Sequence, residues 1–111
     1  MRRYVSNRLA VATGLAAAPA GAAGDSGLET GRQKAQLCAG CHGPMGLAAI
    51  ANTPNLAGQP EVYLSEQLKA YRSGKRSHDM MSLIAKPLTD AEIASLAAWY
   101  SSLQIELKDK P

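Results

Sequence analysis

Two stretches of the chain place apolar side chains at helical spacing, a third is marked as a helix by its end signals, and none alternates apolar and polar residues as a half-buried strand would. In "LTDAEIASLAAWYSSL" the residues Ile93, Leu96, Ala97, Tyr100 and Leu103 recur three and four apart, and Trp99 widens their face. Thr89 and Glu92 open this segment at capping-box spacing. In "QPEVYLSEQLKAYRSG" the stripe is Leu64, Leu68 and Tyr71. Pro60 suits its first turn, Glu61 the positive end of the helix dipole, and Gly74 its close. An earlier helix is expected to start at Ser26, with Glu29 completing a capping box, and to run through "TGRQKAQLCAGCH" to Gly43-Pro44. Proline disfavours helical geometry in the residue before it, which sets that end. The segment "GPMGLAAIANTPNLAGQ" is rich in Gly, Pro, Asn and Ala and reads as a long loop, a kind that is usually functional in a compact domain. "KRSHDMMSLIAKP" shows no clear period and also reads mostly as loop. The pattern predicts an all-α domain with about three main helices and no internal repeat.

The start of the chain is of another kind. "MRRYVSNR" is basic through Arg2, Arg3 and Arg8, "LAVATGLAAA" is a short apolar run, and "APAGAAG" offers the small residues a signal peptidase accepts. These features predict a cleavable leader over residues 1–23, cut after Ala20, Ala22 or Ala23, ahead of one domain over residues 24–111. The apolar run falls well short of the roughly 20 residues that span a bilayer. Export to the periplasm is therefore expected, with no stable membrane insertion once the leader is gone. Losing three of twelve basic residues leaves nine against nine acidic ones, so the formal charge of +3 belongs to the leader. No basic stripe interleaved with aromatics remains, and nucleic acid is excluded as a partner.

The domain that remains is small and lacks large side chains: no Phe and one Trp in the whole chain. Such a domain buries little apolar area and usually needs a staple. Two cysteines allow one disulfide, and a bridge closing so short a loop constrains little.

Both cysteines lie in "LCAGCHGPMG", as Cys38 and Cys41, followed at once by His42. A redox disulfide of the thioredoxin kind belongs in a βαβ context that this pattern lacks. A structural zinc needs four ligands, and there is no second cysteine pair. On a helix Cys38, Cys41 and His42 stand at i, i+3 and i+4 and share one face. Two thiols so placed can form thioethers to the two vinyl groups of a haem while the imidazole reaches the iron, and "CAGCH" is the haem c attachment signature. A haem would also fill the middle of the domain with a large apolar body. The other side of the iron could take Met45, Met80, Met81 or His78; Met raises the reduction potential and a second His lowers it. Met45 lies three residues past His42, on the same side of the ring, and His78 between Ser77 and Asp79 reads as a loop histidine.

With this signature, the leader and the helical pattern, the chain resembles a class I cytochrome c. "LAGQPEVYLSEQLKAYRSGKR" is similar to a single domain of the periplasmic dihaem cytochromes c, and the resemblance runs from about Gly31 to Leu103. Only one haem motif is present, so nothing about electron flow between two haems carries over. The resemblance implies one covalent haem c on Cys38 and Cys41, with His42 on the iron and a methionine opposite. In that subgroup six residues separate the methionine from a Leu-Ser/Thr-Asp run; here the spacing from Leu88-Thr89-Asp90 falls on Met81, with Met80 as the alternative. "TPNLAG" resembles the loop after the haem-binding helix, which implies that the Pro54 carbonyl accepts the ring N–H of His42 and that Leu56 packs on the haem. Gly31 and Trp99 match the small residue and the aromatic where the first and last helices cross. Arg76 is the candidate for a haem propionate. Its basic neighbours Lys69, Arg72 and Lys75 are either a solvated helix end or a face for an acidic partner.

The function implied is electron transport rather than enzyme catalysis. The protein would carry single electrons on its haem iron between redox proteins of the respiratory chain, such as a cytochrome oxidase, a reductase complex or a dehydrogenase, as a monomer with weak and transient docking. The alternative is a haem subunit of a dehydrogenase complex that accepts electrons from an adjacent flavin or quinone cofactor.

Overall fold

The structure, a computed structural model, describes residues 21–109. The expected leader lies outside the described residues except for its last three. In chain order the elements are α1 (Gly21–Lys34), a 3₁₀ turn (Ala35–Leu37), α2 (Ala39–His42), α3 (Glu61–Ser73), α4 (Asp79–Ala85) and α5 (Asp90–Ser102). No strand occurs among the described residues, and α1, α3 and α5 are the three main helices.

Two expectations need correction. Helix α1 is already helical at Gly21, so Ser26 lies inside it rather than at its cap, and it does not continue unbroken to His42. The chain tightens into the 3₁₀ turn, a common helix ending, and restarts as α2. The bond from His42 N to Cys38 O, at 2.9 Å, keeps the one turn that the motif needs. The second correction lies in "KRSHDMMSLIAKP", where residues 79–85 form α4 instead of a loop. Its apolar pattern is too short to show a period, and its cap is a histidine. The Nδ1 of His78 accepts from the backbone N–H groups of Met80 and Met81, both at 3.2 Å.

The other helix ends follow the pattern. Thr89 and Glu92 form the reciprocal capping box: Thr89 Oγ1 accepts from Glu92 N at 3.1 Å, and Glu92 Oε1 accepts from Thr89 N at 3.0 Å. Gly74 ends α3. Helix α5 is the hub, packed against α1 on one side and α3 on the other, and α4 packs on α3. Ala35, Leu64, Ala85, Leu88, Ile93, Leu96, Ala97 and Tyr100 form the buried cluster, with Leu68, Tyr71 and Trp99 packed at its edge. Three of those eight buried residues are alanines, which makes the protein core a thin one. Arg72 ties α3 to the start of α5, donating to the Leu88 carbonyl at 2.9 Å and to Asp90 at 2.6 Å. It is therefore a structural member of the basic cluster.

Across the α1–α5 crossing Lys34 pairs with Glu92. The Lys34 ammonium, helped by the capping N–H of Thr89, holds the Glu92 carboxyl at about 2, against an ordinary 4.5. A carboxyl depressed by folding stabilises the fold above its unfolded pKa, and that contribution is lost as pH falls through the folded value. Stability should therefore decline from about pH 4.5 towards pH 2, and Glu92→Gln should flatten that part of the profile. Denaturant midpoints measured across this pH range test it; a Glu92→Gln profile parallel to the wild type would contradict it.

Candidate functional site

The long loop between α2 and α3 is folded back on the motif that precedes it. Gly43 has φ +84, and a Cβ there would stand 1.8 Å from the Leu47 carbonyl oxygen, so only glycine permits the reversal that ends α2. The carbonyl of Gly46 then accepts from Leu56 N at 2.7 Å and from Ala57 N at 3.0 Å. Ala48 N donates to the Asn55 side chain at 2.6 Å, Ala49 N to Cys41 O at 3.0 Å, and Gly58 N to Tyr100 O at 2.9 Å. These bonds fix the loop on both α2 and the end of α5.

His42 is 7% exposed, the one buried residue among the polar and charged side chains of the described chain. Its Nδ1 lies 2.8 Å from the carbonyl oxygen of Pro54. A carbonyl can only accept, so Nδ1 carries a proton, and in the neutral ring Nε2 is the nitrogen with the lone pair. A buried imidazole with a fixed ring plane and a free Nε2 is the form that ligates a metal. Cys38 is half-buried and Cys41 exposed, and both are free thiols. Burial pushes the Cys38 thiol up, against the opposing pull of the Tyr100 hydroxyl and Lys34. A thioredoxin-type pair depends on a depressed thiol pKa, so the shift runs against that chemistry. No group of three or more His, Cys, Asp or Glu side chains converges among the described residues as a zinc site would require. The donor set fits a haem c instead: two uncrosslinked thiols on one turn and one oriented nitrogen beside them. Apolar side chains flank the motif at the surface, Leu37, Met45, Leu47 and Ile50, in keeping with an apolar cofactor there.

A family model for cytochrome c matches residues 28–104. The chain belongs to the cytochrome c family. It is 41% identical over 83 residues to cytochrome c-554(548) of Halomonas halodenitrificans, covering 72% of this chain and 98% of that protein. It is 42% identical over 79 residues to the thiosulfate dehydrogenase electron acceptor of Thiomonas intermedia, covering 70% of this chain and 36% of that one. The cytochrome c4 structure from Acidithiobacillus ferrooxidans superposes with a TM-score of 0.67 at 33% identity, over 70% of this chain and 50% of that chain. The cytochrome thus spans about a third of one relative, half of another and nearly all of the third. A class I cytochrome c with a single Cys-x-x-Cys-His run carries one covalent haem c.

The remaining residues to which the sequence points fall as follows. Leu56 is half-buried against the core cluster. Arg76 lies over the Tyr71 ring, 4.7 Å from its centroid, and donates to Gln67 Oε1 at 2.7 Å. Met81 is half-buried, whereas Met80 is 55% exposed. His78 is exposed and serves as the N-cap of α4. One residue beside the motif is not evident from the sequence: Tyr100, buried in the core, with its hydroxyl 3.5 Å from Ala35 O. Its place on the apolar stripe of the last helix is visible, but its polar end facing the turn before Cys38 needs the helix crossing to be known. Among the described residues no helix is long and apolar enough to cross a membrane.

Proposed function

We propose that this cytochrome is a periplasmic carrier of single electrons, exported by residues 1–23, in which Cys38 and Cys41 hold the haem and His42 and Met81 ligate its iron. The observation that carries this reading is the buried His42 ring, held by the Pro54 carbonyl at 2.8 Å with Nε2 left as the donor atom. Bound haem c supplies a one-electron ferric–ferrous couple. The chain's part is to keep both axial side chains in place in both redox states. Pro54 fixes the imidazole plane and raises its basicity. Met81 lies on the inward face of α4 with Ile84 and Ala85, a spacing of three and four. Leu56 excludes water, and Arg76 can leave Gln67 to meet a propionate. His42 and Met81 together would leave no position on a bound haem iron open to substrate, which favours a carrier over an enzyme.

The similarity to the thiosulfate dehydrogenase electron acceptor favours a second reading, a haem domain that takes electrons from a dehydrogenase. One experiment separates the carrier from its rivals: a redox titration of the exported, matured protein with its visible and near-infrared spectra. The carrier reading expects a clearly positive potential and the iron–thioether charge-transfer band. A strongly negative potential without that band would falsify it. Rapid oxidation by a membrane oxidase fraction, without added dehydrogenase, would favour the free carrier over the fixed subunit.

A further inference from the structure

The methionine proposed for the iron sits on α4, the shortest α-helix of the domain after α2. Helix α4 has seven residues, barely two turns, and so short a helix has few internal bonds to offset the cost of its first turn. A methionine side chain is also unbranched and flexible, so the sulfur is only as well placed as the backbone beneath it. Something outside the helix has to hold it.

We propose that His78 is a positioning residue that pins the methionine segment by capping α4 at the residue bearing the iron ligand. The cap is reciprocal. The Nδ1 of His78 accepts from Met80 N and from Met81 N, each at 3.2 Å, while the backbone N–H of His78 donates to Ser82 Oγ at 3.0 Å. Ser82 N in turn donates to His78 O at 2.9 Å. The five residues from His78 to Ser82 are thus closed by four hydrogen bonds, with Met81 inside the ring they make. At the other end, Leu88 N donates to Ala85 O at 3.1 Å, and the Arg72 guanidinium holds the Leu88 carbonyl. Both ends of the methionine segment are therefore tied, the first by an imidazole and the second by a guanidinium. Two of the first four N–H groups of a helix are satisfied by one ring nitrogen, the service usually given by a Ser, Thr, Asp or Asn side chain. His78 contributes to the iron site through the helix, not by touching the haem.

The proposal rests on Met81 as the sixth ligand, and the test keeps the two apart. In the matured ferric protein, imidazole titration is followed by the loss of the iron–thioether band, and amide exchange is measured at Met80 and Met81. His78→Ala should raise the apparent imidazole affinity about fivefold, the scale of a lost N-cap, and release protection at both amides. His78→Asn, which can cap the same two N–H groups, should return both readouts to within about twofold of the wild type. Thr89→Ala, which removes the cap of α5, should lower overall stability without changing the imidazole titration. An unchanged titration in His78→Ala, no rescue by Asn, or an equal rise in Thr89→Ala each overturns the positioning role. Absence of the band from the wild type overturns the Met81 assignment, and this proposal with it.

Discussion

Gly31→Ala is expected to destabilise the haem-loaded domain by about 2 kcal/mol, although alanine is the better helix former by roughly 0.5–1 kcal/mol. The added Cβ would stand 2.0 Å from the Ser95 carbonyl oxygen, 2.7 Å from the Ser95 carbonyl carbon and 2.8 Å from Trp99 Cβ. Two of those atoms are backbone, so no rotamer change relieves the contact. Helices α1 and α5 must separate, and overpacking of this kind costs about 1–3 kcal/mol. The steric term outweighs propensity because the crossing joins the helix that leads into the haem motif to the hub of the fold. Gly27 is the control. It lies in the same helix with nothing within 4 Å of a Cβ, so Gly27→Ala should stabilise by roughly 0.5–1 kcal/mol. Denaturant unfolding of the two matured variants decides the matter by sign. If both changes stabilise, α1 and α5 do not touch at Gly31. A domain of this size has about 5–15 kcal/mol to lose, so a bulkier Gly31→Leu should leave little folded protein.

That crossing was legible in the sequence because it needs one residue type at one place. A glycine at 31 matched by Trp99 on the last stripe marks the crossing through the family resemblance; Gly27, in the same helix with nothing within 4 Å of a Cβ, shows that a helical glycine alone would not. Thr89 and Glu92 were legible too, since two short polar side chains at fixed spacing specify a helix start through local bonds alone. His42 and Pro54 are twelve residues apart, and their contact at 2.8 Å could be anticipated only through the family resemblance. No local rule brings a carbonyl that far back onto a ring; the reversal at Gly43 and the bonds to Gly46 do it. Helix α4 was not legible for the opposite reason. Its capping group is a histidine, whose side chain is long enough to do many other things. Its inward positions, Met81, Ile84 and Ala85, also become a face only once the helix is known. The early start of α1 escaped too, since Gly21 and Gly24 are poor helix formers and argue against a helix before Ser26.

The thin protein core bears on the cofactor as well as on stability. Alanines at 35, 85 and 97 let the helices approach but contribute little apolar area. Leu37, Leu47 and Ile50 stay at the surface around the motif, where a Leu or Ile side chain fully buried contributes about 1.5–3 kcal/mol. A haem seated against them would draw on that area, so folding and haem retention should be coupled in this domain.

Met81→Ala is expected to abolish the iron–thioether band and to lower the potential by a sizeable part of the roughly 0.8 V that axial ligands span. Met80→Ala should leave both nearly unchanged. Adjacent residues on a helix point about 100° apart, so α4 cannot present both sulfurs to the same point. The face it turns inward carries Met81, and the face it turns out carries Met80 and Leu83, which are 55% and 69% exposed. For Met80 to ligate, the helix would have to rotate by about a quarter turn. Ala85 would then leave the core, where it is 0% exposed, and both bonds to His78 Nδ1 would break. A sulfur one position away, in Met81→Ala with Met80 intact, should for the same reason not restore the band. The informative contrary result is a band lost in Met80→Ala and kept in Met81→Ala. It would mean that α4 turns when haem is attached, and that its outward face here is the one that meets the iron. Loss of the band in neither variant would take the sixth ligand away from α4 altogether.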